Sequence, residues 1–267
     1  MSISNSTIKE ISKNILRGNT VSNMVICVAL ISSFFVCSNI SSVLSLVLGE
    51  IAAVVVLICL FYLILMPLCL GAFRYFWRLC CGVRDNPILL FFYFSSKKDY
   101  AKALKFTLHL FARIVFTYLI FSVPVFLARI ISGTWLYTAL DVSIPIWTVN
   151  FSHVTGFLNT LAVIATVFAS LKFYLAPMLF VADESLDVSE TLHLSNVISK
   201  RTYWDYLFLV FSLIGWIALS VFVIPMIFTL PYIITAYLVH ASYAVSAFNE
   251  KISKINQDDI PTYIAGV

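Results

Sequence analysis

Between Asp205 and Glu250 the chain carries no Lys, Arg, Asp or Glu across forty-four residues, and its one histidine there is His240. A helix crossing a bilayer needs about 20 apolar residues, so this run is long enough for two crossings, with Pro225 and Pro231 predicting where the hairpin reverses. The bilayer core offers no water to bond with the backbone, so only helices or a closed barrel can span it. Barrel strands alternate apolar and polar residues, and these unbroken apolar runs do not. The predicted fold class is all-α, a polytopic membrane helical bundle.

Composition agrees over the full 267 residues. Hydrophobic residues make up 61% and charged ones 11%, against soluble averages of about 45–50% and 25%. Seventeen basic and 13 acidic residues give a net charge of +4. That excess is too small and dispersed for nucleic acid, and it suits a surface of anionic lipid headgroups. The six cysteines, at positions 27, 37, 59, 69, 80 and 81, show no CxxC spacing and lie mostly in apolar runs. They are expected to act as small hydrophobes, with no disulfide framework, metal or cofactor.

In the leader, residues 1–20, Ile8, Ile11, Ile15 and Leu16 recur at helical spacing opposite Lys9, Lys13 and Arg17. Thr7 and Glu10 have capping-box spacing, which predicts an amphipathic cytoplasmic helix lying on the membrane. Six spans follow, at about residues 21–39, 51–70, 106–131, 154–181, 206–224 and 231–248, all within a domain of residues 21–250. Between spans two and three, Asp85-Asn86-Pro87 starts a short interfacial or re-entrant helix through Ile88–Phe94, which is too short to cross. Between spans four and five, Asp187 and Glu190 cap a second short helix over Val188–Lys200. These are the two cytoplasmic amphipathic helices, and residues 251–267 form a loose polar tail.

With these spans, sixteen of the seventeen basic residues fall on one side and only Arg129 on the other. The positive-inside rule then puts both termini in the cytoplasm, and Trp135, Tyr137 and Trp147 suit the outer interface. A cytoplasmic membrane with six crossings is the expected location.

Several segments together carry a family likeness: KEISKNILRGNTVSNMVICVALI, LGAFRYFWRLCCG, LLFFYFSSKKDYAKAL, LKFYLAPMLFVADESLDVSETLHLSNVISK and LFLVFSLIGWIAL, followed by Pro231-Tyr232. The chain resembles the bacterial integral membrane proteins of the domain-of-unknown-function 975 family over roughly residues 6–250, most specifically around Ile214-Gly215-Trp216. It departs from the pattern at Lys200-Arg201-Thr202, where a glycine is expected, and at Pro225, in place of a glycine-rich turn. The resemblance implies a six-span bacterial inner-membrane protein and brings no chemistry.

The sharpest constellation is Lys98, Lys102, Lys105, His109 and Arg113, spaced 4, 3, 4 and 4 apart and so on one face of a helix entering the membrane. With Arg74, Arg78 and Lys172 it is a candidate contact for anionic lipid or another anionic ligand; the plainer alternative is topology anchoring by snorkelling side chains. An arginine near a span centre costs roughly 2.5–3.5 kcal/mol on insertion scales, which makes Arg113 and Lys172 functional candidates. His240 is expected to be hydrogen-bonded glue between helices, and His193 part of a solvated face. HExxH, GxSxG, GxxxxGK[ST] and GxGxxG are all missing, so no catalytic residue is assigned and a non-enzymatic role is expected. The favoured expectation is a lipid-interacting or partner-binding component of an envelope or export system, with anionic membrane lipids and a membrane-protein partner as its expected contacts. The alternative is a transporter or transporter subunit, although the layout lacks the inverted repeat such carriers often have.

Overall fold

The computed structural model describes residues 4–84, 86–88, 92, 94, 97–131, 146–183 and 185–258. All regular structure among the described residues is helical: α1 (Asn5–Arg17), α2 (Thr20–Leu48), α3 (Glu50–Leu60), α4 (Met66–Cys80), α5 (Lys97–Ile131), α6 (Ile146–Ser170), α7 (Ala176–Ala182), α8 (Val188–Ser212), α9 (Ile214–Leu219) and α10 (Val223–Asp258). Among them, five stretches are long and apolar enough to cross a membrane: Thr20–Leu46, Glu50–Cys80, Asp99–Ile130, His153–Ala182 and Val223–Glu250. The chain forms two compact units. One comprises residues 1–107 and 175–267, the other Leu108–Tyr174.

In the first unit the chain packs where small and apolar residues recur every three to four positions. On α4, Ala72, Tyr75, Phe76 and Leu79 are buried, and so is most of α7. Phe180 of α7 stacks on Phe106 at 4.3 Å and on Phe94 at 5.7 Å. Such pairs contribute about 0.5–1.5 kcal/mol beyond their area. Two buried polar contacts run between helices, where an apolar medium makes such bonds valuable. Tyr75 donates to the buried Asn23 at 3.0 Å, and Ser41 donates to the Ala53 carbonyl at 2.9 Å.

Several boundaries differ from the sequence expectation. The first span extends through Leu48, because the supposed outer loop after Cys37 is helical, and the reversal falls on Gly49 alone. Gly49 has φ 86°, a left-handed conformation that costs a Cβ-free residue little. The second span continues to Cys80 through a π-helical turn, Phe61–Leu65. That turn precedes Pro67, which sits at the start of α4, where its missing N–H is tolerated. Tyr62 donates to the Leu104 carbonyl, and Tyr100 donates to the Leu63 carbonyl at 2.9 Å. The turn is thereby bonded to the start of α5.

The fourth span is not one helix. It ends in a 3-10 turn at Leu171–Phe173 and resumes at Ala176, with Pro177 in the first turn of α7. The short helix expected to stop at Lys200 continues to Ser212, and the expected fifth span breaks at Leu213 before the six-residue α9. The chain reverses between Leu219 and Val223. Pro225 therefore lies in the first turn of α10 and Pro231 lies inside it. The tail beyond Lys251 stays helical to Asp258. The start of the first short helix is present, with Asn86 accepting from the Ile88 amide at 3.0 Å, but most of Ile88–Phe94 lies outside the described residues. Trp135 and Tyr137 also lie outside them.

The leader helix gives the largest correction. Its N-cap is Ser4, which accepts from the Ser6 amide, rather than Thr7. Its apolar stripe faces protein instead of lipid. Ile8, at 2% exposure, packs with Leu209, Leu213, Tyr232, Ala236 and Val239, and Ile11, Ile15 and Leu16 pack around them. Lys9 donates to the Ser212 carbonyl at 2.7 Å, placing a cation at the C-terminal end of α8, where the helix dipole favours it. Truncating a fully buried Ile to Ala costs about 2–5 kcal/mol, so Ile8→Ala should loosen α1 and speed tryptic cleavage at Lys13 and Arg17. A helix held only by lipid would be cleaved at an unchanged rate.

Candidate functional site

The predicted basic stripe does lie on one continuous helix, α5. Its two halves have different surroundings.

The first half belongs to the first unit. The Lys98 side chain lies outside the described residues. The Lys102 ammonium sits 5.7 Å from the centre of the Phe180 ring. Lys105 lies 3.4 Å from the carboxylate of Asp187, both side chains being more than half exposed. Such a pair contributes about 0.2–1 kcal/mol. Asp187 is already committed, as the N-cap of α8, to the amide of Ser189, while Glu190 accepts from the Asp187 amide at 3.1 Å to complete the capping box. Backbone amides of Val188 and Ser189, and then Lys105, hold its carboxyl below the ordinary value. Asp183 is held low too, first by the hydroxyl and amide of Ser185 and further by the charge of Lys102. The α7–α8 loop thus sets two carboxylates against two lysines of the stripe, which lowers the local positive potential.

Arg74 and Arg78 do not extend the stripe as an exposed surface. Arg74 is buried at 8% exposure on the packed face of α4, and Arg78 is half-buried. His240 is buried too, with the Tyr206 ring 5.8 Å away.

The second half lies in the other unit. His109 and Arg113 are exposed on α5 among Leu108, Phe111 and Phe116, whose apolar side chains are also exposed. The Arg113 guanidinium sits 5.6 Å from the centre of the Phe173 ring, and the Lys172 ammonium sits 5.0 Å from that same ring, which is buried. Each contact is worth about 0.5–2 kcal/mol, depending on how dry it is. Like charges brought to one ring repel each other, so an anion within reach of both cations would offset that repulsion. Within the same unit Tyr118 donates to Asn159 at 3.1 Å.

Phe173, Asp183 and Asp187 are the residues that sequence reasoning left out of this site. Phe173 neighbours Lys172 in the chain, but sixty positions separate it from Arg113, and no periodicity links the two. Among the described residues no group of three or more His, Cys, Asp or Glu side chains is placed to hold a metal ion.

The α7–α8 loop gives a pH test outside the spans. A carboxyl held below its ordinary value of 3.8 stabilises the folded loop fully above that value and loses the effect as pH falls through the depressed one. Protection of the Val188 and Ser189 amides against exchange should therefore hold from neutrality down to about 3.8 and be lost progressively below it. Asp187→Ala should lose that protection already at neutral pH.

A family model described as a protein of unknown function, DUF975, matches residues 1–243. No curated protein and no solved structure matches this chain.

Proposed function

The chain belongs to the DUF975 family of proteins of unknown function, and we propose that it is a six-span protein of the bacterial cytoplasmic membrane that holds anionic phospholipid at Arg113 and Lys172. Both termini are cytoplasmic, as the one-sided distribution of basic residues favours. The sixth crossing is the stretch from Tyr206 to Phe222, the end of α8 with α9. Its helical residues, up to Ser212 and then Ile214–Leu219, extend about 20 Å. Phe208, Phe211, Ile214, Val221 and Phe222 turn large apolar side chains outward along it, a surface suited to lipid rather than water. The molecule is read as a non-enzymatic component of an envelope or export system that binds lipid or a membrane-protein partner.

The observation that carries the lipid assignment is the convergence of Arg113 and Lys172 on the Phe173 ring beside exposed apolar side chains. A phosphate beside the ring would be attracted by both cations, and acyl chains match the surrounding surface. The lysines nearer the start of α5 are less suited, because Asp183 and Asp187 face them. A second reading, a transporter or transporter subunit, draws on a cavity of about 400 Å³ between α2, α4 and α10. Leu30, Phe34, Phe73, Met226 and Ile234 line it, and such walls suit an acyl chain better than a polar solute.

Native mass spectrometry of the detergent-purified protein tests this assignment. Arg113→Gln with Lys172→Gln should remove about one retained phosphatidylglycerol molecule per protein, whereas Lys102→Gln with Lys105→Gln should change the number little. Equal retention in both double variants would contradict the assignment.

A further inference from the structure

A second cavity opens in the first unit where α1 turns into α2. It measures about 250 Å³ and is lined by Lys13 and Arg17 on one side and by Met24, Ile227, Phe228 and Pro231 on the other. Both basic side chains are exposed, so each is hydrated and able to reach an anion. A third cation stands close by, since a methyl group at Gly18 would come within 3.1 Å of the Arg84 guanidinium. The surface continues as apolar beyond the mouth, with Val21 at 75% exposure and Phe228 at 57%.

We infer that this cavity binds one anionic phospholipid, its phosphate between Lys13 and Arg17 and the start of an acyl chain against Met24, Phe228 and Pro231. The size argues for such an occupant. Pockets that bury a whole drug-sized ligand run to about 300–1,000 Å³, and this smaller one has room for a headgroup with the start of a chain. An amphiphile suits that space, because its chain can leave along the exposed apolar surface of α2 and α10. Charge also selects: two basic side chains at the mouth favour an anionic headgroup over a zwitterionic one. The α1 helix is in place to hold them because Ile8 and Lys9 fix it to α8 and α10. The site stands independently of Arg113 and Lys172, which belong to the other unit.

The test uses the full chain in phosphatidylcholine nanodiscs carrying a trace of phosphatidylglycerol with a photoreactive acyl chain. Peptides containing Met24 and Ile227–Pro231 should be labelled about tenfold more than with photoreactive phosphatidylcholine. Lys13→Gln with Arg17→Gln should reduce labelling to the phosphatidylcholine level, while Arg113→Gln with Lys172→Gln should leave it intact. Equal labelling of the unmodified protein by the two lipids overturns the inference, and that comparison needs no variant. Unchanged labelling in the Lys13 and Arg17 double variant also overturns it. So does protection of Lys13 from acylation by inorganic phosphate equal to that given by phosphatidylglycerol, since that identifies a simple anion site.

Discussion

A backbone that leaves water has to satisfy its own amides and carbonyls, and this requirement shapes the rest of the structure. Each long apolar run closes its hydrogen bonds within a helix, and departures from regular helix come where another group takes over the bonding. At the π turn of Phe61–Leu65, Tyr100 donates to a carbonyl of the turn. At the break after Ser212, Lys9 supplies the donor from a helix more than two hundred residues away. At Gly49 the reversal takes a single residue, because the left-handed backbone there costs glycine little.

The same requirement determines where charge can sit. Lysines and arginines cluster where helices leave the apolar surface, and they find partners of two kinds. Lys102 and Lys105 meet carboxylates of the α7–α8 loop as well as the Phe180 ring. Arg113 and Lys172 meet the face of Phe173. An aromatic face attracts a cation through its quadrupole, without a negatively charged partner of its own. A continuous stripe in sequence thus becomes two environments on one helix.

Much of the fold was legible in the sequence because its causes are local. Apolar runs predicted the long helices, and Asp187 with Glu190 predicted the start of α8, where the structure has a complete capping box. The missed features depend on distant partners. The apolar stripe of α1 is the same pattern whether lipid or protein covers it, and only the fold brings Leu209 and Tyr232 against Ile8. Pro225 and Pro231 were overweighted as breakers: the first turn of a helix tolerates proline, and in α10 Thr235 donates to the Pro231 carbonyl at 2.7 Å within an intact helix. Of the candidate site, the spacing of Lys102, Lys105, His109 and Arg113 was visible, whereas the burial of Arg74 and the ring shared by Arg113 and Lys172 were not.

The central claim is that apolar helices cross a bilayer with the cationic side chains gathered at one aqueous boundary. Single cysteines placed at Lys105 and Trp147, in a background with the six native cysteines replaced, can be probed in intact cells with a membrane-impermeant thiol reagent. The account predicts that the cysteine at Trp147 is modified and that the one at Lys105 reacts only after the membrane is opened. Modification of both in intact cells, or of neither until the membrane is opened, would contradict it.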